Sequence, residues 1–251
     1  MRGVMRIVGM GPGAPALMSG EAAAAIGACD LIVGYTTYIG LLGDLVAGKE
    51  VFASSMTEEV KRADHAIEAA RAGRRVAVVA GGDACVYGIG GLVLERLSPG
   101  DLASIDIEVI PGITAANAAA ALLGAPLMND YLVLSLSDLL TDAALIRRRV
   151  EAAGHGDLAL ALYNPRSASR KDLLAETREI LLRHRPASTP VGIVRLAYRE
   201  GQGVTLCTLG ELGELMDGID MFSIVIIGSS LSVRKGDFIV TPRGYPAGGV
   251  R

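Results

Sequence analysis

The stretch VAVVAGGDACVYGIGG, Val76 to Gly91, opens as an apolar run, breaks at two glycines, and carries one carboxylate, Asp83, where its character changes. A continuous apolar run of this length reads as a strand covered on both faces, and the glycines mark its carboxyl end. Runs of the same kind surround it: RIVGMG before it, then LIVGY and EVFAS, and IEVIPG after it. Helical stretches lie between them, from Ser19 to Cys29, Thr57 to Ala72 and Gly88 to Leu97. Alternation of this kind predicts a mainly parallel sheet with helices on both faces. Thr57 is placed to cap the second of these helices, with Glu58 and Glu59 in its first turn and Gly73 after its end.

Beyond TAANAAAALLGAP the texture shifts to YLVLSLS, LALALYN, VGIVRLA, VTLCTL and SIVIIG. Helices are expected at Asp142 to Ala153 and Ser169 to His184, and the shorter links between the last strands favour a mixed sheet. The expected architecture is therefore two α/β domains, residues 1–126 and 127–251, with the boundary near Pro126 and a cleft between them.

Composition narrows the function classes. The chain has 251 residues, 51% hydrophobic and 20% charged, which is ordinary globular composition. Net charge is -3, and the only basic cluster, Arg147 to Arg149, reads as a solvated helix face, so no nucleic-acid footprint is expected. Cys29, Cys85 and Cys207 are dispersed and odd in number, which points to a reducing compartment without a structural disulfide. His65, His155 and His184 are equally dispersed and are read as surface or structural histidines, with no bound metal expected. Apolar runs such as IVIIG are far too short to span a membrane and no signal-peptide pattern opens the chain, so a cytoplasmic location is expected.

Two glycine-marked strand ends carry the candidate chemistry. RIVGMGPGAPA supplies Gly9, Gly11 and Gly13 directly after the first strand. A dinucleotide site is the first reading of such a loop, but Ala14 stands where the third Rossmann glycine belongs, Pro12 and Pro15 delay any helix, and Asp30 precedes its strand. Gly81, Gly82 and Asp83 lie at the end of a neighbouring strand, where ligands of open α/β sheets bind. Asp83 has two readings, a ligand for a hydroxyl or cation and a local helix cap. Gly112, Thr114 and Ala115 mark another strand end of the same kind.

The motifs GMGPGAP, GGDACVYG, VIPGITAANAAAALLGAPL, LALYNPRS, PVGIVRLAYREGQ and TPRGY, in this order and across nearly the whole chain, resemble the tetrapyrrole methylases. Within that family LSLSDLL, LYNPRS and TPRGY are most similar to the branch that methylates C17 of precorrin-3B in cobalamin synthesis. The resemblance implies a homodimer that binds S-adenosylmethionine in the interdomain cleft and a tetrapyrrole beside it. Carried over by motif, Pro12, Gly81, Gly82, Asp83, Val86, Thr114, Ala115, Asn164 and Ala197 fall at cofactor positions. Gly11 and Gly13 fall where loop backbone approaches the macrocycle. Cys85 departs from the glycine expected in that branch and Ile89 from methionine, and Cys85 is read as a small buried residue.

The implied reaction couples methylation at C17 to ring contraction, C20 leaving the ring as an acetyl group to give precorrin-4. Alignment of donor and acceptor carries methyl transfer, whereas contraction removes a proton from the C20 hydroxyl. Asp138 in LSLSDLL is the candidate base, with a solvated helix start as its alternative. Arg166, Arg195, Arg199 and Arg243 are candidates to hold substrate carboxylates, which a guanidinium pairs bidentately. Three other functions stay open: a methylase of another precorrin or of a cobalt-bearing one (cobalt-factor III C17, precorrin-4 C11 or precorrin-2 C20), a dinucleotide-dependent oxidoreductase, and a catalytically silent binding protein.

Overall fold

The computed structural model describes residues 2–167 and 172–245. The chain divides into two compact units, one running to Ala115 and the other from Ala116. The division falls upstream of Pro126, at the start of helix α6 (Ala115–Leu123). That helix packs with the second unit, since Leu123 fills the space a side chain on Gly192 would take.

The N-terminal unit holds a five-stranded sheet of β1 (Gly3–Gly9), β2 (Leu31–Tyr35), β3 (Glu50–Ser54), β4 (Arg75–Ala80) and β5 (Ile105–Ile110). All its pairings are parallel, in the order β3-β2-β4-β1-β5. From β1 the chain steps toward one edge to β2 and β3, then returns through β4 and crosses to β5 at the other. Right-handed crossovers in opposite directions put their helices on opposite faces. Accordingly α1 (Gly20–Gly27) packs with Val8, Ile32, Ala77 and Val79, while α3 (Glu59–Arg71) and α4 (Gly90–Arg96) pack with Met5, Ile7, Leu31, Val33, Val76 and Val78. Neighbouring residues of each strand thus serve opposite cores. Short helices α2 (Thr36–Gly40) and α5 (Pro99–Ser104) complete the connections. β1 and β4 lie side by side, and their outgoing connections leave to opposite faces and run in opposite directions, so their carboxyl ends form the switch point of the sheet.

Thr57 does not cap α3. It sits at φ +71, Glu58 takes the cap position, and the carboxylates of Glu58 and Glu59 accept from Ser55 N and Thr57 N instead.

The C-terminal unit contains β6 (Gly124–Ala125), β7 (Tyr131–Ser135), α7 (Ala143–His155), β8 (Ala159–Tyr163), α8 (Asp172–Leu182), β9 (Pro190–Arg195), β10 (Gly203–Thr208), α9 (Leu212–Leu215), β11 (Ser223–Ile227), β12 (Val233–Lys235) and β13 (Phe238–Val240). Residues 169–171, where helix was also expected, lie outside the described residues. Its main sheet runs β10-β9-β11-β8-β7 and is mixed: β7 and β8 are parallel, the other pairs antiparallel. Because β11 is antiparallel to both β8 and β9, strands β7, β8 and β9 all end at the same edge. A second sheet has three strands in the order β12-β13-β6. Among the described residues, no helix is long and apolar enough to cross a membrane.

Candidate functional site

In the N-terminal unit the ends of β4, β1 and β5 meet backbone to backbone. Gly11 and Gly82 exchange hydrogen bonds, Gly11 N to Gly82 O at 3.0 Å and Gly82 N to Gly11 O at 2.7 Å. Both occupy left-handed conformations, φ +74 and +71, that glycine adopts without steric cost. On Gly9 a Cβ would lie 2.7 Å from Gly112 N and 2.8 Å from Gly82 O, and on Gly112 it would collide with Gly82 O and Gly9. The three loops are therefore packed at a distance that only glycine permits. Gly81 carries the ring of Tyr38 from α2, since a Cβ there would stand 2.6 Å from Cε1.

Asp83 ties this junction together. Its Oδ1 accepts from Cys85 N at 2.8 Å and its Oδ2 from Gly112 N at 3.0 Å, so one half-buried carboxylate links the β4 loop to the β5 loop. Asp83 does not cap the following helix, which starts only at Gly90 with Ile89 at its N-cap; its carboxylate instead closes the turn to Cys85 and joins two strand ends. A carboxylate has about four lone-pair directions, so two remain for a ligand. Around it Pro12 is buried, and Gly13, Val86, Thr114 and Ala115 are half-buried. Cys85 is exposed rather than buried, and desolvation, with the charge of Asp83, raises its thiol pKa above the ordinary value.

The β1 loop also separates this unit from a dinucleotide fold. A short 3-10 turn, Pro15–Leu17, follows the glycines, and α1 starts only at Gly20 with Ser19 Oγ accepting from Ala22 N at 3.0 Å. The helix N-terminus that would receive a pyrophosphate is thus displaced from the glycines and capped by its own chain.

In the C-terminal unit the candidate residues again lie at strand ends. Asn164, just past β8, adopts φ +49 and donates from Nδ2 to Ser135 Oγ at the end of β7, 2.9 Å away. Tyr163 Oη accepts from Ala116 N at 3.0 Å and so satisfies an amide of the first turn of α6. Ala197 follows β9 between Leu196 at φ +50 and Tyr198 at φ +56. Left-handed non-glycine residues cost about 1–2 kcal/mol each and concentrate at ligand-binding loops. Neither they nor Tyr38 are signalled by the sequence, because leucine and tyrosine do not favour that conformation and Tyr38 sits in an unremarkable helical run.

The charged candidates are placed unevenly. Arg166 Nη1 donates to Met216 O and pairs with Asp217 Oδ1 at 3.0 Å; its side chain is 14% exposed and its Nε is buried without a partner among the described residues. Arg195 Nε pairs with Asp220 at 2.9 Å and its guanidinium lies over the Phe222 ring. Burial raises the Asp220 pKa, but hydrogen bonds from Arg195, Phe222 N and Ser223 outweigh it and hold the carboxyl below its ordinary value. Arg243 is exposed, Arg199 half-buried. Asp138 is exposed in the loop after β7 and does not start a helix, since Asp142 caps α7 through Ala144 N at 2.7 Å. Two of the three histidines come together in space, His155 and His184 with Glu151, while His65 stacks on Phe52 in the other unit.

Residues 5–213 match the family Tetrapyrrole (Corrin/Porphyrin) Methylases. The chain belongs to this family. A probable cobalt-factor III C(17)-methyltransferase of Salmonella typhimurium is 42% identical over 96% of this chain and 99% of its own length. A precorrin-3B C(17)-methyltransferase of Sinorhizobium is 37% identical over 98% of each. Among solved structures the methyltransferase CobJ superposes with a TM-score of 0.89 at 34% identity, covering 96% of this chain and all of that one.

Proposed function

We propose that this tetrapyrrole methylase transfers the methyl group of S-adenosylmethionine to C17 of precorrin-3B and couples the transfer to ring contraction, working as a cytoplasmic homodimer. The observation that carries it is the three-loop glycine junction closed by Asp83, in a chain of this family. S-adenosylmethionine has a ribose diol and an ammonium group, both suited to the lone pairs Asp83 retains, and no phosphate to require a helix N-terminus. Pro12, Gly81, Gly82, Val86, Thr114, Ala115, Asn164 and Ala197 are the other proposed cofactor residues. Gly11, Gly13, Arg166, Arg195 and Arg243 are proposed for the substrate. A second reading, methylation of the cobalt-bearing cobalt-factor III, is favoured by the higher identity to the Salmonella relative, 42% against 37%. In both cases the cofactor chemistry is the same, and any cobalt belongs to the substrate.

Calorimetry tests the cofactor assignment. S-adenosylhomocysteine should bind and NAD should not. Asp83→Ala should weaken the binding by about 1–3 kcal/mol, roughly five- to 150-fold, the scale of a hydrogen bond to a charged group. NAD binding without a response to S-adenosylhomocysteine would remove the proposal, and full affinity in folded Asp83→Ala would confine Asp83 to its backbone bonds.

Arg166→Ala should slow turnover of the tetrapyrrole while sparing S-adenosylhomocysteine affinity. Because the substitution also strips Met216 O and Asp217 of their partner, a lower melting temperature should accompany it. Loss of cofactor affinity with intact tetrapyrrole binding would assign Arg166 to the other ligand.

A further inference from the structure

Away from the strand ends, α7 and the segment after α8 assemble a group of side chains that the reaction above does not use. Glu151 and His155 are one turn apart on α7 and share a face. His184 follows the end of α8, and its ring lies directly over Gly154, where a Cβ would stand 2.5 Å from Cδ2 and 2.8 Å from Cγ. Any side chain at that position would evict the imidazole from its seat. His184 is thereby held with 15% of its side chain exposed, 2.9 Å from Nε2 to Glu151 Oε1. His155, 72% exposed, points its own Nε2 at the same oxygen from 3.8 Å, with the two rings edge to face at 4.4 Å. All three donor atoms lie within 4.8 Å of one another. The other carboxylate oxygen, Oε2, accepts from Arg183 Nη2 at 2.8 Å.

We propose that Glu151, His155 and His184 form a surface site for a divalent ion of the late first transition row, with zinc as its representative. Two imidazole nitrogens and one carboxylate oxygen, gathered within 4.8 Å of one another, are the donor set such ions select over magnesium or calcium. Arg183 then acts on the outer side of the carboxylate, fixing it and turning Oε1 to the ion. Ligand bonds of about 2.0–2.2 Å set donor separations near 3.4 Å in a tetrahedron, and rotation of the exposed His155 side chain supplies the closure needed. Water completes the coordination. A bound ion would clamp the end of α7 to the turn after α8, stabilising the C-terminal unit by mass action.

The test uses the full chain, untagged and stripped with a chelator, titrated with zinc chloride in a calorimeter and melted with and without the ion. One equivalent should bind and the melting temperature should rise. His155→Ala, a change at an exposed position that the fold tolerates, and His184→Ala should each weaken binding at least about tenfold and remove the thermal shift. Cobalt(II) should give a tetrahedral spectrum without a sulfur charge-transfer band, which separates this site from one built on Cys85. Absence of binding at micromolar zinc, undiminished affinity in both variants, or a thiolate band would overturn the proposal.

Discussion

Gly112→Ala is expected to lower stability by at least about 3 kcal/mol and to abolish cofactor binding. The added carbon meets Gly82 O and lies 2.6 Å from both C and O of Gly9, all backbone atoms of central strand ends that have no rotamer to retreat into. Overpacking against flexible side chains costs about 1–3 kcal/mol, and rigid neighbours put this substitution at the upper end or beyond. For a chain of this size that corresponds to a fall in melting temperature of roughly 6–12 °C. Gly91→Ala is the matched control, because nothing lies within 4 Å of a Cβ there and alanine favours the helix by up to about 1 kcal/mol. Thermal melting and S-adenosylhomocysteine calorimetry on both variants decide the point. An unchanged melting temperature and affinity for Gly112→Ala would mean that the three loops do not meet as closely as described.

Asp138→Asn is expected to separate methylation from ring contraction. If Asp138 takes the C20 hydroxyl proton, the amide keeps its shape but not its basicity, and contraction should slow by about 10²–10⁴-fold. Alkylation at C17 requires no base, so the variant should still consume one equivalent of S-adenosylmethionine and accumulate a methylated, uncontracted product in single-turnover mass spectra. The exposed position of Asp138 after β7, clear of any helix start, is compatible with such a role. Contraction at the normal rate would place the base elsewhere, or leave the methylated macrocycle to rearrange unaided.

How far the sequence can be read follows from how each element is buried. β2 and β3 begin and end where their apolar runs do. β1 and β5 extend further toward their amino ends, to Gly3 and Ile105, and the reason is visible at β5. It is an edge strand, and Asp106 and Glu108 break its apolar run to pair with Arg6 on β1. The strand-end glycines and Asp83 are legible because a glycine directly after a covered strand marks a turn or a close approach of backbone. The two bonds of Asp83 are not, since one reaches a partner 29 residues away. Strands of two or three residues such as β6, β12 and β13 carry no periodicity to detect. The histidine cluster exists only because α7 and α8 pack together, and the small residue that makes room for it, Gly154, looks like an ordinary weak point in a helix.

The central claim is tested most directly by supplying the purified chain with isotopically methyl-labelled S-adenosylmethionine and, separately, with precorrin-3B and cobalt-factor III, and locating the label by carbon NMR. The account predicts one labelled methyl on C17 of a ring-contracted product from at least one of the two substrates. Label at another ring position, or no transfer to either tetrapyrrole by a chain that binds S-adenosylhomocysteine, would contradict it.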